Sequence, residues 1–289
     1  MENFTDPSPV SILGTGAIGT AAARILLRAG QPVVVWNRTR QRTAELAAAG
    51  AGVADSAAAA LAAAPLSLLT LTDHRAVAAV LDQATGELPG RTVITLTTGS
   101  PEDARRTADR VANLGADYLD AGLQTSPEDL GTAAATILYS GLEDAFARHR
   151  ATLARLSTPR YVGPSPDAAA VWDLALFGVW YDAQLGLLRA LDTARAYGIE
   201  LTEFTETAAA QLRHVVDGAP TTAAEVATRD YPRGPATLAE HLPVLDQLGE
   251  LRTGNRLADG GLGQAAERIR QLIGAGHGQD GLSALLRVS

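Results

Sequence analysis

A short apolar run, Val10 to Leu13, leads directly into Gly14-Thr15-Gly16-Ala17-Ile18-Gly19, and an apolar helix pattern, Ala21 to Ala29, follows before Gly30. Three glycines at this spacing have separate duties: a tight turn, close approach of backbone to a pyrophosphate, and close packing of helix on strand. The helix that opens there offers unpaired N–H groups to phosphate oxygens. Glycines at this spacing are common and constrain little alone. After a strand and at the start of a helix, they commit this part of the chain to a dinucleotide-binding unit.

The next strand pattern, Pro32 to Trp36, has an unbroken valine core, as a parallel strand covered on both faces requires. Helix and strand patterns then alternate through Arg40 to Ala48, Leu66 to Leu71, Ala76 to Leu81, Thr92 to Leu96 and Glu102 to Leu114. They continue through Asp117 to Leu119, Thr136 to Tyr139, Leu142 to Leu156 and Arg160 to Val162. Such alternation predicts an α/β fold with a doubly wound sheet. It ends at Gly163-Pro164-Ser165-Pro166, where two prolines in three positions form a boundary. Beyond it every periodic segment is helical, beginning with a long helix from Asp167 to Tyr197. Breaks are expected at Gly218-Ala219-Pro220, Tyr231-Pro232-Arg233-Gly234-Pro235 and Gly260-Gly261. The expected architecture is a Rossmann-type domain over 1–164, then an all-helical domain over 165–289 that the long interdomain helix opens.

Composition removes several functions. A net charge of −8 speaks against nucleic acid or an anionic membrane as partner. No cysteine is present, so disulfides, thiolate metal sites and cysteine nucleophiles are excluded. All 24 basic residues are arginine, so no lysine can act as general acid, base or Schiff-base former. The histidines (His74, His149, His214, His241 and His277) show no ligand spacing, which argues against a metal site. Met1 to Val10 carries no basic residue, the wrong start for an export signal. Ser56 to Thr72 is uncharged, but Pro65 in its middle argues for a short helix and a buried strand rather than a membrane span. A cytoplasmic protein is expected.

The second strand ends in Trp36-Asn37-Arg38-Thr39-Arg40-Gln41-Arg42. An enzyme selective for NADH places Asp or Glu here, against the ribose hydroxyls. Neutral Asn37 stands there instead, followed by Thr39, with Arg38 and Arg42 one helical turn apart and able to clamp a 2′-phosphate. The expected cofactor is NADPH, held by the glycine turn, Asn37, Arg38, Thr39 and Arg42.

Ligands of such a sheet bind beyond the carboxyl ends of its strands. Those ends are Thr70 to Asp73 (with Thr72), Thr97-Thr98-Gly99-Ser100 and Ala121 to Thr125, where Leu123 and Thr125 are candidate substrate contacts. The long helix carries one acid, Asp173, in the apolar run Ala168 to Tyr181. Burying a carboxyl on such a face costs several kcal/mol unless it is paired or protonated. A proton donor with a raised pKa gives that cost a purpose; an ion pair with a distant arginine is the other reading. Tyr181 lies eight residues on, about 12 Å along the helix and about 80° around it, so both can border one cleft walled by Leu176, Phe177 and Trp180. Tyr181 is either a second donor or a packing residue. His241, on a helix after Tyr231-Pro232, can line the same cleft. An apolar, aromatic cleft with one carboxyl suits an iminium or another protonatable organic substrate.

Taken together these residues resemble the imine reductases, reductive aminases included, within the 6-phosphogluconate and β-hydroxyacid dehydrogenase superfamily. The resemblance is carried by Gly14 to Gly19, Asn37-Arg38-Thr39, Thr97-Thr98-Gly99-Ser100-Pro101, Tyr118-Leu119-Asp120 and Ile137-Leu138-Tyr139-Ser140-Gly141. It continues through Trp172-Asp173-Leu174-Ala175-Leu176, Tyr231-Pro232, Ala236-Thr237-Leu238-Ala239 and Gly276-His277-Gly278. β-Hydroxyacid dehydrogenases look similar up to the long helix, but place Lys where Asp173 stands, Asn where Phe177 stands, and a Ser-Gly-Gly turn where this chain reads Leu123-Gln124-Thr125. The resemblance implies NADPH-dependent reduction of an imine, preformed or made from ketone plus amine, with Asp173 as proton donor. It also implies a homodimer that exchanges helical domains. The competing readings are an NADP oxidoreductase acting on a carbonyl or hydroxyacid, and a non-catalytic NADPH-binding protein.

Overall fold

The computed structural model describes residues 8–83, 86 and 88–288. The first seven residues, part of the segment read as lacking an export signal, lie outside them. Eight strands form one sheet: β1 (Val10–Leu13), β2 (Val33–Trp36), β3 (Gly52–Val53), β4 (Leu66–Leu69), β5 (Thr92–Thr95), β6 (Asp117–Gln124), β7 (Thr136–Gly141) and β8 (Thr158–Gly163). Their order is β3-β2-β1-β4-β5-β6-β7-β8. All neighbours are parallel except β6 and β7. The order reverses between β1 and β4, which opens a crevice at their carboxyl ends.

Strand periodicity sorts the core into two layers. Ile12, Leu68, Ile94 and Leu119 point to one face, with α1 (Ala17–Arg28) and α6 (Glu143–Leu153). Leu13, Leu69, Val93 and Tyr118 point to the other, with α3 (Ala57–Ala62), α4 (His74–Leu81) and α5 (Pro101–Asn113). Each such Leu or Ile, fully buried, contributes about 1.5–3 kcal/mol relative to an exposed one. The pattern Arg40 to Ala48, expected as one helix, divides into a tight 3-10 turn, Arg40–Thr43, and α2 (Ala44–Ala48). The Thr43 hydroxyl donates to the Arg40 carbonyl at 2.8 Å and closes that turn.

The long helix α7 spans Ala168–Ala196. Ser140 of β7 fixes its start, accepting from the Ala169 N–H at 2.9 Å and donating to the Pro166 carbonyl at 3.2 Å. The chain divides into two compact units, residues 1–177 and 178–289, so the division falls inside α7. The second unit holds α8 (Leu201–Thr228), α9 (Leu238–Leu251) and α10 (Leu262–Gly274); α9 and α10 pack around a small core of Tyr231, Leu238, Ile269, Leu272 and Ala284. The break expected at Gly218-Ala219-Pro220 does not occur, because α8 runs straight through Pro220. Proline deprives the carbonyl four residues earlier of its partner. That residue, Val216, is 69% exposed, so water can satisfy the freed oxygen. Among the described residues, no helix is long and apolar enough to cross a membrane.

Candidate active site

The glycine turn joins β1, α1 and β4. Gly14 has φ +106°, and a Cβ there would collide with the Thr70 carbonyl oxygen. A Cβ at Gly19 would collide with the Gly14 oxygen and the Thr70 hydroxyl, which itself donates to Gly14 O at 2.7 Å. Gly16 differs: nothing lies within 4 Å of where its Cβ would be. So Gly14 and Gly19 close the turn while Gly16 leaves an open approach to backbone. Gly16 and Ala17 are exposed and Ile18 half-buried, and the first turn of α1 holds no acidic side chain. This cradle fits a pyrophosphate.

At the end of β2, the Asn37 amide donates to the Thr15 hydroxyl at 2.8 Å, and that hydroxyl donates to the Arg42 carbonyl at 3.1 Å. The Asn37 side-chain oxygen accepts the Thr39 N–H at 2.9 Å. Thr15 is thus a buried tie between the glycine turn and the arginine-bearing turn, a role no sequence spacing announces. Arg40 pairs with Asp55 at 2.7 Å. Arg38 and Arg42 are exposed, and among the described residues neither forms an ion pair. Thr72 and Thr98 are exposed beyond β4 and β5, and the buried Thr97 hydroxyl donates to the Leu71 carbonyl at 3.1 Å, tying these two loops together. A surface hollow lies elsewhere, between α4 and α5, and two of its arginines, Arg106 and Arg110, pair with Asp103 and Asp82.

Asp173 is 3% exposed, although most of its apolar neighbours on α7 are not buried at all. The Gln124 side-chain amide donates to its Oδ1 at 2.7 Å. Among the described residues no cationic side chain bonds it, so the ion-pair reading finds no partner. Burial raises the carboxyl's pKa, and the Gln124 hydrogen bond opposes that rise. Strand alternation places Asp120, Gly122 and Gln124 on one face of β6. Asp120, 2% exposed, accepts from Thr95 at 2.8 Å and from the Tyr118 hydroxyl at 3.1 Å. Burial lifts its pKa to about 6, and the nearby Asp173 adds to the lift.

Leu123, expected as a substrate contact, is half-buried on the opposite side of β6, where it packs against the first core layer. Thr125 donates to the Ser126 carbonyl at 3.2 Å, just beyond the strand. Leu176 is exposed and Phe177 half-buried. In the second unit, Trp180 and Tyr181 are exposed and meet edge to face, ring centres 5.0 Å apart. His241 is half-buried on the first turn of α9, its N–H bonded to the Thr237 carbonyl at 2.9 Å. The β6 residue missed by sequence reasoning is Gln124; its parity with Gly122 along the strand is the signal that could have found it.

The fold and the glycine cradle define a two-part oxidoreductase built on a dinucleotide-binding domain. Residues 9–163 match the NAD binding domain of 6-phosphogluconate dehydrogenase, and residues 165–289 match the NADPH-dependent reductive aminase-like C-terminal domain. The chain is 29% identical over 285 residues to the NADPH-dependent reductive aminase of Aspergillus oryzae, covering 96% of this chain and 95% of that one. An imine reductase from Aspergillus terreus in complex with NADPH4 and dibenz[c,e]azepine is similar in structure, with a TM-score of 0.90 at 30% identity, covering 98% of this chain and 99% of that one. A reductive aminase from Aspergillus terreus in complex with NADPH4, cyclohexanone and allyl amine gives a TM-score of 0.86 at 30% identity, with the same coverage. The chain belongs to the imine reductase and reductive aminase family.

Proposed function

We infer that Asp173 is the proton donor of an NADPH-dependent imine reductase. The reaction class follows the family: an oxidoreductase acting on C=N with NADPH. Bound at the cradle, NADPH supplies the hydride. Gly14, Gly16 and Gly19 with Ala17 and Ile18 receive its pyrophosphate, and Thr72 and Thr98 border it. Asn37 and Thr39 lie at the ribose, while Arg38 and Arg42 take the 2′-phosphate.

The single observation that carries the proton role is the burial of Asp173 without a cation. Burial disfavours the charged form and raises this carboxyl above its ordinary range, the direction that a proton donor requires. It donates that proton to the imine nitrogen, which makes the adjacent carbon electrophilic. The new N–H bond and the hydride added at carbon complete the amine, and Asp173 regains its proton from solvent. An iminium formed this way is held by the carboxylate beside it. In the first unit Thr125, Leu176 and Phe177 are candidate walls for a small apolar substrate; in the second, Tyr181 is a candidate second donor and Trp180 and His241 are candidate walls. Cyclic or preformed imines fit this chemistry, as does an imine condensed from ketone and amine, the pair found in the Aspergillus terreus complex.

Residues 1–164 would then bind the cofactor, and 165–289 would supply substrate contacts and the dimer interface. A domain-exchanged homodimer is part of this reading, supported by α8, a helix of 28 residues with none buried. Asp173→Asn tests the core of it: reduction of a simple cyclic imine should fall about 100-fold or more, with NADPH affinity kept. Unchanged turnover would remove Asp173 from the chemistry.

A further inference from the structure

Gly122 and Gln124 face Asp173 from the same side of β6, and they do different things to it. A Cβ on Gly122 would lie 2.8 Å from the Asp173 Cβ, 3.0 Å from its Oδ1 and 3.0 Å from the Ala169 carbonyl oxygen. The bare backbone there lets α7 settle close enough for the next residue on that face to reach the carboxyl. Gln124 makes that reach, and its amide donates to Oδ1 at 2.7 Å. A carboxyl group has two equivalent oxygens and turns easily about its last bond. A donor fixed on one of them ends that equivalence. The bond also comes from a neutral group: an arginine here would hold the acid ionised, and an apolar residue would leave the product carboxylate without a partner.

The other charged group close to Asp173 on this face is Asp120, and its carboxylate is occupied by Thr95 and Tyr118. With those two bonds Asp120 shares no proton with Asp173; the charge on Asp173 is one of the causes that raise Asp120. Among the described residues, Gln124 is the one contact on this face that favours the ionised form left after proton transfer.

We propose that Gln124 is a positioning residue for the reaction: by pinning Oδ1 of Asp173 it assigns Oδ2 to carry and deliver the proton. The proposal rests on Asp173 being the donor. An amide bonded to a carboxylate stabilises the transition state to the extent that the charge has developed, which predicts a loss of about 10- to 100-fold in kcat when the amide is removed.

The test uses Gln124→Met, which keeps length without a donor, and Gln124→Arg, which keeps a donor and adds charge. The Asp173 carboxyl is followed by 13C NMR titration of the cofactor-free protein, its signal assigned by its loss in Asp173→Asn. Losing the amide bond removes stabilisation of the charged form, so Gln124→Met moves this titration to higher pH, while Gln124→Arg moves it to lower pH. The kcat of Gln124→Met falls with KM for NADPH unchanged. A side chain that merely packs would produce neither the opposed shifts nor the selective loss. If kcat or the titration in Gln124→Met is unmoved, the proposal is overturned. If Asp173→Asn retains turnover, the donor assignment fails first, and that outcome is read separately from Gln124.

Discussion

Two buried carboxyls occupy one face of β6 and its contact with α7, and burial acts on both in the same direction. For Asp120 the result is a pKa lifted from an ordinary 3.8 to about 6, the desolvation only partly offset by bonds from Thr95 and Tyr118. A folded-state value above the unfolded one means the folded protein binds this proton more tightly. That contribution to stability is complete below about 3.8 and is lost as pH rises through about 6. The full shift corresponds to roughly 3 kcal/mol. Asp120→Asn keeps an acceptor for Thr95 and Tyr118 and removes the ionisation. Its stability relative to the parent should therefore increase by roughly 2–3 kcal/mol between pH 4 and pH 7, read by urea unfolding at both values. A difference that is flat with pH would mean that water reaches this carboxylate in the folded protein.

On the proposed reading, the β2–α2 connection is the element that sets cofactor choice. Asn37 and Thr15 lock the turn by side-chain bonds, so Arg38 and Arg42 project from a fixed backbone rather than a loose loop. Arg40, between them, is committed to Asp55. Arg38→Ala should weaken NADPH binding about 10-fold or more, the loss of one charge-assisted phosphate contact, and leave NADH nearly unchanged. Fluorescence titration of both nucleotides checks this; equal losses would place the 2′-phosphate elsewhere. This element also shows what a sequence can reveal. The glycine spacing, the neutral Asn37 and the two arginines are readable because each duty depends on residue type at a local offset. Thr15 as the tie between them is not, since its partner is 22 positions away in the chain. Gln124 is hidden for the same reason, its partner being 49 positions away. The strand β3 carries too few residues for any period to register, and the continuity of α8 through Pro220 depends on whether solvent can reach one carbonyl.

At the scale of the whole molecule, the distribution of apolar surface is inverted along the helices. From Val171 to Tyr181 on α7 the acid is buried, while Val171, Leu174, Val179, Trp180 and Tyr181 are exposed, Val179 to 68%. In α8 nothing is buried, and Val215 and Val216 are 73% and 69% exposed. A helix that stands in water is expected to show the opposite arrangement, and large apolar side chains exposed on a helix mark an interface. Helical elements from a second copy of the chain are the partner that the homodimer reading supplies, with an obligate interface of about 2,000 Å² or more. On that reading the parent sediments at about twice the 29.9 kDa chain mass, and its melting temperature rises with protein concentration. Val215→Glu combined with Val216→Glu places two charges on the exposed face of α8, where a monomer would tolerate them. If the homodimer reading holds and the second copy helps to wall each cleft, the double variant should sediment as a monomer and lose imine reduction. NADPH binding should weaken far less, since the glycine cradle and Arg38 lie wholly within the first unit. A parent chain that is monomeric at micromolar concentration and still active would mean that the apolar face serves something other than a second copy.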